Sequence, residues 1–112
     1  MITQARLRFC KTSAQKARLV VDQIRGKGVG EALSILHYSR KGVARDVEKL
    51  LRSALANAQQ GERRVDVDSL YVAKATVDGA PSEKRIRPRS MGRVYRILKR
   101  SCHMVVQLDS RR

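Results

Sequence analysis

The sequence predicts an α+β domain, and three observations predict it. Apolar and basic residues alternate near the N-terminus, three segments of helical period follow, and two β-rich runs flank a long basic connection.

Across Thr3 to Phe9, Ala5, Leu7 and Phe9 alternate with Arg6 and Arg8, the period of a strand with one buried and one cationic face. Thr12 and Gln15 have capping-box spacing, and Ala17, Val20, Val21 and Ile24 then recur at helical intervals until Gly26 offers a stop. The run from Gly26 to Gly30 has neither the Gly-Lys-Ser/Thr ending nor the Gly-x-Gly-x-x-Gly spacing of phosphate-binding loops, so it reads as a connection between helices. Ala32, Leu33, Ile35 and Leu36 mark a short second helix, with His37 near its end as a surface or boundary residue. Val43, Val47, Leu50, Leu51, Ala54, Leu55 and Ala58 form the apolar stripe of a long third helix, the strongest periodic signal in the chain.

Gly61 ends that helix, and residues 62 to 69 read as a loop in which Asp66 and Asp68 face water. Residues 70 to 77 are rich in β-formers, and in the run from Val94 to Leu108 the residues Cys102, Met104, Val106 and Leu108 share one face. The two runs are expected to pair as an antiparallel hairpin. Residues 78 to 93, with two prolines and many like charges, are longer than an ordinary hairpin loop and read as an extended loop at the hairpin tip. A length of 112 residues accommodates a single domain, expected over 1–112.

Charge bounds the function. Against 25 Lys and Arg stand 10 Asp and Glu, a formal net charge of +15, so the chain attracts polyanions, among which nucleic acid ranks first. Leu, Ile, Val and Phe number 28 of 112, enough to build a core despite that charge. No apolar stretch approaches the roughly 20 residues that span a bilayer, and Arg6 and Arg8 interrupt the N-terminal run where a secretory signal would be continuous. No membrane partner is expected, and a cytoplasmic address is. Cys10 and Cys102 lie outside any Cys-x-x-Cys pair, and Cys102 with His103 cannot close a metal site; they read as reduced thiols at half-buried strand positions. The carboxylates are scattered and no Ser, His and Asp set has catalytic spacing, so an enzyme is not expected, nor any cofactor.

The chemistry concentrates in the hairpin. Lys84, Arg85, Arg87, Arg89, Arg93, Arg96, Lys99 and Arg100 fall in a stretch without a single carboxylate. Arginine predominates, and its planar fork grips phosphate oxygens bidentately. Such a run is often only a solvated face, but unrelieved repulsion along a strand pair favours a polyphosphate counterpart. A second basic set comprises Arg6, Arg8, Lys11, Lys16, Arg18, Arg25 and Lys27. Ser13 at the first helix's start could join exposed amides in holding a phosphate. His103 reads as a sheet-face hydrogen-bond donor and joins the candidate RNA-binding residues. One Phe and three Tyr are too few for a single-strand stacking platform, Tyr95 beside the basic run being the exception to watch.

Three motifs, Ser13-Ala-Gln-Lys-Ala-Arg-Leu-Val-Val-Asp-Gln-Ile-Arg-Gly-Lys27, Ser53-Ala-Leu-Ala-Asn-Ala58 and the run from Arg85 to Arg100, resemble the bacterial form of the L-twenty-two family of large-subunit ribosomal proteins. The resemblance covers about residues 5 to 109. It implies three helices packed on a small antiparallel sheet, with a long basic β-hairpin projecting into ribosomal RNA. It further implies a structural role in subunit assembly and a hairpin tip, Lys84, Arg85, Ile86, Arg87, Pro88, Arg89, Ser90, Met91, Gly92 and Arg93, that helps line the polypeptide exit tunnel. The partners it implies are large-subunit ribosomal RNA, neighbouring ribosomal proteins including the L-four protein, and the nascent chain; no homo-oligomer is expected. Met91 and Cys102 depart from residues frequent in the family, Lys or Gln and Ser. The alternative is a free-standing basic regulator of DNA or RNA, which on duplex DNA would need its polar readers on a recognition helix.

Overall fold

A computed structural model describes residues 3–60, 69–88, 92 and 94–110. The order is β1 (Thr3–Cys10), α1 (Ala14–Ile24), α2 (Val29–Tyr38), α3 (Val43–Gln59), β2 (Leu70–Pro88) and β3 (Val94–Ser110). The α+β expectation holds: the strands form one antiparallel sheet in the order β1-β3-β2, with the helices against one face.

Alternation decides which face is buried. Ala5, Val77, Cys102, Met104, Val106 and Leu108 turn inward to meet Val20, Ile24, Leu36, Val47 and Leu51 of the helices. Enclosing a side chain as fully as Leu51, which has no exposed surface, stabilises the fold by roughly 1.5–3 kcal/mol. The predicted stripe of α3 is the buried one, with Val43 and Leu55 at its margins.

The helix starts differ from expectation. Thr12 does not cap α1, because its N–H turns back to the Cys10 carbonyl at 2.8 Å as the chain leaves β1. Ser13 caps instead, its Oγ accepting from the Lys16 N–H at 3.3 Å. Gly26, at φ 80°, takes the left-handed turn after α1, and α2 begins as early as Val29, inside the glycine-rich connection. That connection also serves the sheet: Gly26 N–H donates to the Val72 carbonyl and Val72 N–H to the Lys27 carbonyl, both at 2.9 Å, alongside the free edge of β2.

The larger difference lies in the hairpin. The segment expected as loop from residue 78 is ladder as far as Pro88↔Val94, interrupted by one bulge between Ala80 and Glu83. Ser101 Oγ donates to the Pro81 carbonyl at 3.0 Å at that bulge, and β1 pairs with β3 only as far as Cys102, so the ladder continues as two strands alone. Residues 80 to 88 at about 3.3 Å each make an arm of roughly 30 Å. The radius of gyration, 17.2 Å against about 13 Å for a compact chain of this length, reflects it. Pro81 and Pro88 fit here because, among the described residues, no third strand asks for their missing N–H. Of the loop expected over 62 to 69, residues 62 to 68 lie outside the described residues.

Candidate nucleic-acid interface

The helices cover one face of the sheet and leave the other open. Successive cross-strand rows on that open face are Gln4, Gln107 and Lys74, then Arg6, Val105 and Thr76, then His103 and Asp78. Arg6, Arg8, Lys11, Lys16, Lys99 and Arg100 are exposed and, among the described residues, their side chains make no ion pair or hydrogen bond. Arg6 and Arg8 thus present unneutralised guanidinium groups on the open side of β1.

Other predicted contacts are already engaged within the fold. Arg18 Nε and Nη2 donate to the Val77 carbonyl at 3.2 and 2.9 Å, and Arg25 Nε and Nη2 donate to the Ala75 carbonyl at 3.2 and 2.7 Å. Both arginines project from α1 onto the outer edge of β2, where, among the described residues, no neighbouring strand donates to those carbonyls. Arg25 also pairs with Asp22 at 2.7 Å, and Lys27 lies 3.9 Å from Glu31. Sequence reasoning read these side chains as solvent-facing, because a sheet edge cannot be located before the strand order is known.

Glu48 was not singled out from the sequence, yet it is the buried charged residue among those described. Its carboxylate lies 2.8 Å from Arg52, 3.5 Å from Arg45 and 3.9 Å from His37, tying α3 to the end of α2. The Arg52 hydrogen bond is the largest influence holding its pKa below the ordinary carboxylate value, against the opposing effect of burial. The Arg45 and Arg52 spacings, three before and four after the acid, were the available signal.

Phe9 overturns its expected place. The alternation put it inward with Ala5 and Leu7, but it is 60% exposed. The register runs Leu7↔Met104 and then Cys10↔Cys102, so Arg8 and Phe9 together stand opposite His103 alone. This is a β-bulge, and Phe9 sits in it at φ 56°, a left-handed conformation costly for an aromatic residue. The bulge sends the ring outward and brings Cys10 inward.

Two contacts hold the arrangement. Phe9 N–H donates to His103 Nδ1 at 3.0 Å, and the two rings meet edge to face at a centroid distance of 4.7 Å. Nδ1 of His103 is the acceptor in this bond, which leaves Nε2 as the ring nitrogen able to donate from the sheet face. An open cleft of about 440 Å³ lies beside the pair, lined by Arg6, Arg8 and Asp78 among others.

The cysteines are buried rather than half-buried, and they face each other across β1 and β3. Cys10 donates its thiol hydrogen to Asp46 Oδ2 at 3.6 Å. Burial, then the neighbouring Asp46 carboxylate and Cys102, push its pKa up to about 12. Burial also raises that of Cys102. Among the described residues no cluster of three or more His, Cys, Asp or Glu could hold a metal ion. No helix among them is long and apolar enough to cross a membrane.

In the arm, backbone register brings Lys84 opposite Leu98, Arg85 opposite Ile97, Ile86 opposite Arg96, Arg87 opposite Tyr95 and Pro88 opposite Val94. The predicted tip residues Arg89, Ser90, Met91 and Arg93 lie outside the described residues, and Gly92 stands among them at φ 72°. The ladder nevertheless brings the backbones of Lys84, Arg85, Arg87 and Arg96 onto one ribbon with Lys99 and Arg100.

Compared with known proteins, the chain matches the model of the family described as Ribosomal protein L22p/L17e over residues 5–109.

Proposed function

Because the chain belongs to the ribosomal protein L22p/L17e family, whose members are structural, non-enzymatic proteins of the large ribosomal subunit, we propose that it binds and cross-ties the RNA of that subunit. The contacts are to phosphate and sugar, made by Arg6, Arg8, Lys11 and Lys16 on the body and by the basic residues of the arm. Ser13 and His103 add hydrogen bonds, whereas Arg18, Arg25 and Lys27 contribute mainly by fixing the surface. At its far end the arm, residues 84 to 93, lines the polypeptide exit tunnel beside the L-four protein and meets the nascent chain.

What carries this reading is the set of exposed, unpaired cations among the described residues, Arg6 and Arg8 on the open face and Lys99 and Arg100 at the base of the arm. Such a set is destabilised by its own repulsion and relieved by a polyphosphate.

Sedimentation of a cell lysate through sucrose at moderate and then high salt tests the proposal. The chain is expected to travel with the large subunit and to be stripped only at high salt. If it stays at the top of the gradient at both salts the reading fails, and binding to duplex DNA becomes the one to measure.

A further inference from the structure

The site left unexplained by phosphate binding is the bulge in β1. A backbone that carries an aromatic residue at φ 56° while leaving its ring 60% exposed forgoes both an easy conformation and hydrophobic burial. Bulges re-aim side chains, and this one aims Phe9 at the open face of the sheet.

We propose that Phe9 and His103 form a stacking site for one unpaired nucleobase of the bound RNA. This rests on the RNA-binding function proposed above and names a contact of a different chemical kind. The exposed ring offers a π-face that any base can cover. His103, held edge-on at 4.7 Å by the Phe9 N–H bond, buttresses that ring and presents Nε2–H as a donor to a base edge or a sugar.

Charge around the cleft sets the direction of the nucleotide. Arg6 and Arg8 lie on its β1 side, and Asp78, the register partner of His103, lies on its β2 side. The phosphates flanking the stacked base therefore run along β1, and Asp78 repels them from the other side.

The chain contains no tryptophan, so Phe9→Trp installs a single fluorophore at the site. Its emission should be quenched on titration with transcribed large-subunit ribosomal RNA but not with inorganic polyphosphate, which has charge and no bases. A second variant, Phe9→Gly, suits the positive φ and removes the ring. It should fold, as circular dichroism will verify, and bind the same RNA on the order of tenfold more weakly, with an unchanged dependence on salt. The proposal is overturned if the tryptophan is unaffected by RNA that demonstrably binds, if polyphosphate quenches it equally, or if Phe9→Gly binds as tightly as the parent. Should the parent itself not bind the RNA, the functional reading fails and the stacking site falls with it.

Discussion

Arg18 and Val77 are joined by a forked hydrogen bond, Nε and Nη2 of the one meeting the carbonyl oxygen of the other at 3.2 and 2.9 Å. The bond closes part of the exposed edge of β2 from a helix remote in sequence. Arg18→Met keeps the aliphatic stem and removes both donors. Because the side chain is exposed and water can replace it, the expected loss is about 1 kcal/mol. It should appear as a lowered Tm with little change in the salt dependence of RNA binding; a normal Tm with a reduced salt slope would instead make Arg18 a phosphate contact.

Arg6 and Arg8 should behave oppositely. Replacing both with Gln removes two unpaired cations from the open face without breaking a side-chain hydrogen bond or ion pair among the described residues. The slope of log K against log salt for RNA binding is expected to fall in magnitude by about 1.5, at unchanged Tm. An unaltered slope would take these residues off the interface.

Glu48 makes stability depend on acid. Its pKa is lowered on folding, chiefly by the Arg52 hydrogen bond, so the unfolded chain takes up the proton first as pH falls. Its contribution is whole above the unfolded value of 4.5 and disappears as pH falls through the lower folded one. Glu48→Gln should lower Tm at neutral pH, with the gap from the parent closing as pH falls below the unfolded carboxylate value of 4.5. A gap that stays constant across thermal scans at these pH values would contradict the assignment.

Cys10 should be inert while the protein is folded. Raising its pKa from 9.0 to about 12 lowers the thiolate population near pH 8 about a thousandfold. Alkylation by iodoacetamide is expected to be slow in buffer and fast in guanidinium chloride. Similar rates in the two would mean that the strand end opens readily.

Hydrogen exchange should grade along β3. Residues 103 to 108 have a strand on both sides and helices beneath, whereas 95 to 99 pair with β2 alone. Two-stranded ribbons are marginal by themselves. Amides of the first segment are expected to exchange on the order of a hundredfold more slowly than those of the second in the free protein; equal protection would show that the arm is supported in some other way.

Legibility in the sequence followed the physics of each element. The stripe of α3, the inward residues of α1 and the alternation of β3 were readable because burial imposes a period on them. Phe9 was not, since no Gly, Asn or Asp announces the left-handed turn that inverts it. The β2 side of the arm's ladder, residues 78 to 88, was hidden because two prolines and a run of like charges read as loop. The basic residues were found as a set, but sorting Arg18 and Arg25 from Arg6 and Arg8 required knowing which strand lies at the edge.

Pro81 and Pro88 carry one more consequence, for the interval between synthesis and incorporation into a particle. A two-stranded ribbon offers hydrogen-bonding groups along both margins, which is the template on which another chain can grow a cross-β aggregate. Each proline removes a donor from β2, and the bulge beside Pro81 breaks the regular spacing an incoming strand would need. With carboxylates absent from residues 84 to 100, a second copy would also bring only like charge. The composition that suits the arm to the polyanion proposed above also disfavours pairing with a second copy of itself.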